Sequence, residues 1–126
     1  MPLKEARDIK NMQIKIGKKR VRSYGIKFFV KKDGKEVGRA FLYIMNNDLK
    51  KQPFGFLEDV FVDEQLRGQG IGTKLVKSVI EEAKKIGCYK IVATSRHQRK
   101  NVHSFYEKLG FENFGIEFKM YFDGKK

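Results

Sequence analysis

Leu57-Glu58-Asp59-Val60-Phe61-Val62-Asp63-Glu64-Gln65-Leu66-Arg67-Gly68-Gln69-Gly70-Ile71-Gly72-Thr73 is the stretch on which the reading of this chain turns. A strand-like run of β-branched and aromatic residues enters a glycine-rich turn with an arginine at its lip, and a helical pattern begins at once. The first backbone N–H groups of a helix lack intrahelical partners and carry partial positive charge. Glycines at 68, 70 and 72 let that backbone approach a bulky anion, and Arg67 adds a fixed charge beside it. The expected ligand is a pyrophosphate or another multiply charged phosphate group.

Spacing separates three motifs that could produce such a turn. A Walker A loop needs Gly-Lys-Ser/Thr, and here no lysine stands between Gly72 and Thr73. A dinucleotide fingerprint needs G-x-G-x-x-G, whereas Gly68-x-Gly70-x-Gly72 is one residue too tight. The third is an Arg/Gln-x-x-Gly-x-Gly/Ala turn, which Arg67-Gly68-Gln69-Gly70-Ile71-Gly72 matches. A glycine-rich βα turn with no ligand is the bland alternative, made less attractive by three alternating glycines beside an arginine.

With its preceding strand, this third turn resembles motif A of the GNAT acyltransferase superfamily, which binds the pyrophosphate of acetyl-CoA. A second segment, Asn101-Val102-His103-Ser104-Phe105-Tyr106-Glu107-Lys108-Leu109-Gly110-Phe111, resembles the superfamily's penultimate helix. The resemblance spans roughly residues 54–122 and implies acetyl-CoA as acyl donor, with no metal. It implies cofactor contacts from Val60, Phe61, Val62, Arg67, Gly68, Gln69, Gly70, Ile71, Gly72 and Thr73, with carbonyl-binding N–H groups near Phe61 and Val62. It also implies that Tyr106 protonates the departing thiolate; the alternative is a core tyrosine with a polar handle. Asn101 is a candidate contact to the coenzyme arm. The family's usual asparagine position is Arg99 here, so Arg99 and Lys100 are competing phosphate contacts.

Acyl transfer to an amine needs a neutral nucleophile. An unperturbed lysine-like amine titrates near 10.4, so its deprotonation at neutral pH costs roughly 4–5 kcal/mol. A carboxylate at the strand end can take that proton. Glu58 and Asp59 are sequence neighbours, so on a regular strand they point to opposite faces and only one lines the site. The Leu-Glu-Asp-x-Phe-Val run resembles the strand of spermidine/spermine-type acetyltransferases in which the glutamate is the base, making Glu58 the candidate. A solvated or salt-bridged carboxylate is the equal alternative.

Composition sets the outer bounds. The 126 residues, 40% of them hydrophobic, are enough for one domain over 1–126 with its own core. There is no apolar run of membrane-spanning length, and Met1-Pro2-Leu3-Lys4-Glu5 does not read as a signal peptide. The single cysteine, Cys88, has no disulfide partner within the chain, so a cytoplasmic location is expected. Cys88 with His97 and His103 lacks metal-ligand spacing. The net charge of +13 is uneven: residues 1–53 carry 15 Lys/Arg against 5 Asp/Glu, and residues 54–126 carry 13 against 10. An acidic or macromolecular acceptor, a nucleic-acid-associated acceptor, or a solvated lysine-rich surface would each account for the basic half. No aromatic-basic platform is visible in the linear sequence.

Period-two alternation predicts strands at Met12–Ile16, Ile26–Lys31, Glu36–Met45 and Phe54–Val62, with an Asp33-Gly34 hairpin turn between the second and third. Ile71, Leu75, Val76, Val79, Ile80, Ala83 and Ile86 recur at helical spacing, and Gly87 reads as a C-cap. Tyr89–Ser95 is expected to be a buried parallel strand, Asn101–Leu109 a helix, and Glu112–Phe122 one or two closing strands. Residues 2–10 are a candidate short helix. The fold expected is α/β, a GNAT-like mixed central β-sheet flanked by helices with a reduced N-terminal helical region. That reduction leaves the acceptor side open or completed by a second subunit in a homodimer. The function expected is acetyl-CoA-dependent N-acyl transfer to a primary amine in a ternary complex. The alternative is a non-catalytic acyl-CoA-sensing or nucleic-acid-associated module on the same fold.

Overall fold

The structure, a computed structural model, describes residues 13–95 and 99–124. Four strands form one sheet in the order β1 (Ser23–Lys32), β2 (Lys35–Met45), β3 (Phe54–Val62) and β4 (Ile91–Ala93). Two helices follow β3 and β4: α1 (Ile71–Ile86) and α2 (Lys100–Lys108). The β1–β2 and β2–β3 pairs are antiparallel and β3–β4 is parallel, which is the mixed sheet expected.

The hairpin turn lies where Asp33-Gly34 predicts it, with both residues at positive φ (53° and 77°). Along β2 the pleat sends Ala40, Leu42 and Ile44 to one face, where all three are buried. Leu75, Val76, Val79 and Ala83 of α1 pack on that face with Leu57 of β3. Burial of this kind stabilises by about 1.5–3 kcal/mol per large aliphatic side chain. Gly55 is required for close approach, because a Cβ there would sit 2.9 Å from Leu42 Cδ1. The helix ends as expected: Gly87 is left-handed at φ 95°, with its N–H on the Ala83 and Lys84 carbonyls and the Cys88 N–H on Ala83.

Three expectations fail. Gln13–Ile16 forms no strand, and Ile14 and Ile16 are exposed; the alternation there meets no neighbouring strand to pair with. Met12 and the candidate helix at 2–10 lie outside the described residues. The expected strand Tyr89–Ser95 shortens to Ile91–Ala93 and is half-buried, because its ladder with β3 runs only from Gly55–Ile91 to Leu57–Ala93. Residues 112–122 form no strand, because none of the described strands pairs with them. A short 3₁₀ turn at Glu64–Leu66, which the periodicity does not show, leads into the glycine loop.

Candidate active site

Parallel pairing between β3 and β4 stops at Leu57 and Ala93. From Glu58 to Val62 the edge of β3 that faces away from β2 therefore has no ladder partner among the described residues. A bulge begins there too, since the β2–β3 register jumps from Phe41–Glu58 to Arg39–Phe61. Asp59 takes the extra position at φ 54°, in the left-handed region. This bulge corrects the expectation that Glu58 and Asp59 point apart. Asp59 reaches Arg39 and Glu58 lies opposite Phe41, and both partners belong to the sheet face away from α1. Both carboxylates thus border the same open side.

The same bulge returns Val60 and Val62 to the helical side, where they pack against the core, and leaves Phe61 exposed. Two guanidinium groups bracket the Phe61 ring, Arg39 at 4.8 Å and Arg67 at 5.9 Å from its centroid. Arg67 Nε also donates to the Val62 carbonyl at 2.9 Å. Arg67 is therefore tied to the strand it follows, a latch that sequence reading did not anticipate beside its expected role at the phosphate.

The glycine turn fits an anionic ligand. Gly68 and Gly70 have φ of 85° and 83°, and no atom lies within 4 Å of where a Cβ would stand on either. Among the described residues, no backbone hydrogen bond outside the helices and strands uses the N–H of Gly68, Gln69, Gly70, Ile71, Gly72 or Thr73; the first from the helix is Lys74 to the Gly70 carbonyl. No side chain caps the helix start. Free donors, positive φ and open space coincide at the N-terminus of a 16-residue helix.

Tyr106 stands on α2, whose Phe105 ring edge lies 4.0 Å from a Cβ built on Gly72, so α2 flanks the first turn of α1. The Tyr106 ring packs between Phe105 and Phe111, at centroid distances of 5.5 and 5.3 Å. Burial pushes its phenol above the ordinary range, with a smaller opposing pull from Arg99, the residue before α2. A phenol held neutral is a donor, not a base. Its backbone carbonyl accepts from Leu109 and Phe111 while Gly110 turns left-handed, which anchors the helix end. Asn101, Arg99 and Lys100 are exposed at the start of the same helix. Ser95 Oγ, two residues past β4, is buried without a hydrogen-bond partner among the described residues, a further polar atom beside the strand opening that sequence reading missed.

His97 lies outside the described residues, and among the described ones no three His, Cys, Asp or Glu side chains cluster as metal ligands would. Burial raises the Cys88 thiol, which suits packing and not nucleophilic attack. No described helix is long and apolar enough to cross a membrane.

A mixed sheet opened between two parallel strands, with a glycine turn and a helix start beside the opening, defines an α/β protein. The chain belongs to the acetyltransferase (GNAT) family, whose model matches residues 4–111. It is 39% identical over 69 residues to glucosamine 6-phosphate N-acetyltransferase of Arabidopsis thaliana, an alignment covering 55% of this chain and 44% of that protein. The crystal structure of the glucosamine-6-phosphate N-acetyltransferase from Arabidopsis thaliana superposes with a TM-score of 0.71 at 30% identity, over 79% of this chain and 67% of that one. A putative acetyltransferase from Agrobacterium tumefaciens gives 0.72 at 33% identity, over 77% and 68%. The matched part of the chain spans less than half the length of the Arabidopsis relative.

Proposed function

We propose that this protein is an acetyl-CoA-dependent N-acetyltransferase acting on a primary amine. The observation that carries the reading is the set of unpaired N–H groups at residues 68–73 beside the unpaired edge of β3. The first would hold the coenzyme's diphosphate, with Asn101, Arg99 or Lys100 as further contacts, and the second its thioester. When bound, acetyl-CoA supplies an acyl group on an activated carbonyl. The N–H groups near Phe61 and Val62 polarise that carbonyl. Glu58 accepts the proton from the attacking amine, directly or through water. Tyr106 gives its proton to the sulfur as the C–S bond breaks and the C–N bond forms. One proton is taken at Glu58 and one given at Tyr106, so the reaction needs no redox partner.

The binding-module reading draws on one finding. The sheet and the loop after β3 gather Lys27, Lys31, Arg39 and Arg67 with Phe29, Phe41 and Phe61, a grouping hidden in the linear sequence. Two of those cations are already engaged, Lys27 with Glu36 at 2.5 Å and Arg39 with Asp59. That weakens the platform as a polyanion site and leaves catalysis the better account. Release of free CoA in the presence of amino sugars, polyamines, amino acids, peptides or protein N-termini supports the enzyme. No release with any of them, together with single-strand binding that falls steeply with salt, supports the module.

A further inference from the structure

The end of the sheet away from the glycine turn carries most of the molecule's unbalanced charge. Ser23 pairs with Met45, Met45 with Phe54, and the Gly55 N–H donates to the Lys90 carbonyl at 2.9 Å. The starts of β1, β3 and β4 therefore share this end with the finish of β2. The glycine turn follows Val62 at the opposite end, where Val62 pairs with Gly38. α1 runs from one end to the other, and just past its last turn the Tyr89 N–H reaches the Pro53 carbonyl at 3.0 Å. Residues 18–22 are fastened here as well, by the ion pair of Lys19 with Asp48 and by Asn46 Nδ2 donating to the Arg22 carbonyl at 2.9 Å.

The segments 18–22, 46–53 and 84–90 hold nine Lys and Arg against one acid, Asp48, in a chain whose net charge is +13. Among the described residues only Lys19 of these nine forms an ion pair. On the open face of the sheet, by contrast, Lys27 and Arg39 are held by Glu36 and Asp59. Crowded like charges repel one another, and an anionic partner relieves that repulsion.

An aromatic ring stands within this charge. Tyr89 is 42% exposed, with Lys50 Nζ at 4.2 Å and Lys90 Nζ at 5.4 Å from its ring centroid and the Phe54 ring edge-on at 6.5 Å. Beside it lies a hollow of about 170 Å³ whose other walls include Ile80, Lys84, Cys88 and Lys90. A hollow with an aromatic wall and cations at its rim suits a planar base on a phosphate chain. A bilayer would need protruding apolar area instead. Val21 and Leu49 are the exposed aliphatic side chains here, and two such residues offer less than the single acyl chain that itself binds membranes only marginally.

We infer that this end of the molecule binds single-stranded nucleic acid, with cations of residues 18–22, 50–51 and 84–90 on the phosphates and Tyr89 stacked on a base. The site lies at the other end of the sheet from the proposed acyl edge, so strand and coenzyme do not compete for the same groups. It rests on the charge pattern and on Tyr89, not on the proposed activity.

Fluorescence anisotropy of a short labelled oligouridylate, titrated with the full chain over a range of salt, tests this. The expected result is saturable binding at low salt, with log affinity falling against log salt by roughly 0.7 per phosphate contacted. Tyr89→Ala should weaken binding about tenfold at an unchanged salt slope, the effect of losing one base–aromatic stack. Arg20→Gln and Lys51→Gln, at exposed positions where the fold is not at risk, should each lessen the slope by roughly 0.7. Acetyl-CoA affinity should be the same in all three variants as in the wild type; a wild type that binds the oligonucleotide but no acetyl-CoA would fail the proposed activity and leave this inference standing. No binding of the oligouridylate at low salt overturns it. So does tighter binding to phosphatidylserine vesicles than to the oligonucleotide, or an affinity for the oligonucleotide that Tyr89→Ala leaves unchanged.

Discussion

Arg39 and Asp59 meet across the bulge between β2 and β3, Arg39 Nε and Nη2 donating to the two Asp59 carboxylate oxygens at 3.2 and 3.3 Å. Asp59 is one of two non-glycine residues at positive φ among the described residues, the other being the hairpin Asp33. The ion pair holds the backbone in a disfavoured region at the point where β3 loses its parallel neighbour. The bulge is what keeps Asp59 and Phe61 on the outward side with Glu58 and sends Val60 and Val62 inward. It is therefore the local device that shapes the proposed acyl site.

If the left-handed backbone at 59 matters more than the carboxylate, Asp59→Gly should keep most of the activity and Asp59→Val should not. A β-branched residue at this φ is strained, and the two variants should differ in stability by about 1–3 kcal/mol. Paired denaturation midpoints and kcat values check this. Equal behaviour of the two would mean that the bulge backbone is relaxed.

Tyr106→Phe removes only the hydroxyl, and the ring still packs between Phe105 and Phe111. Turnover should fall by roughly 10²-fold or more while acetyl-CoA affinity changes little. Unaltered turnover with a competent amine would return Tyr106 to a packing role.

Both carboxylates border the open side, so Glu58→Gln and Asp59→Asn must be compared. A base has to be ionised to accept a proton, so the acid limb of the pH–rate profile belongs to it. That limb should move or vanish in Glu58→Gln and persist in Asp59→Asn. The reverse pattern would transfer the role to Asp59.

Buried Tyr106 also leaves a signature in stability. Its phenol titrates higher in the folded chain than in the unfolded one. The contribution is complete below the unfolded value, about 10, and is lost as pH rises from there through the folded value, because the unfolded chain ionises first. Urea midpoints above pH 10 should fall more steeply in the wild type than in Tyr106→Phe. Parallel curves would show that the phenol is as solvated folded as unfolded.

Much of this architecture could be read from local pattern. The helix over 71–86 had its apolar stripe and its Gly87 cap, and the hairpin had Asp33-Gly34; such signals act over a few residues. The glycine turn was legible because Gly68 and Gly70 sit where only unusual backbone angles serve. What escaped was non-local. A bulge depends on the register against β2, so no property of Glu58-Asp59 alone shows that both carboxylates share a side. The placing of Arg39 and Arg67 beside Phe61 needs β2, β3 and the glycine turn in place. The strands expected at 12–16 and 112–122 are not found at 13–16 or 112–122, because a strand exists only with a neighbour and the described residues provide none there.

The account stands most directly on whether residues 67–73 hold the coenzyme. Isothermal titration of acetyl-CoA into the wild-type chain should give one saturable site per chain. Gly70→Val, which forces a side chain onto a backbone at φ 83°, should weaken that site at least tenfold. No heat with acetyl-CoA or CoA, or equal affinity in Gly70→Val, would contradict it.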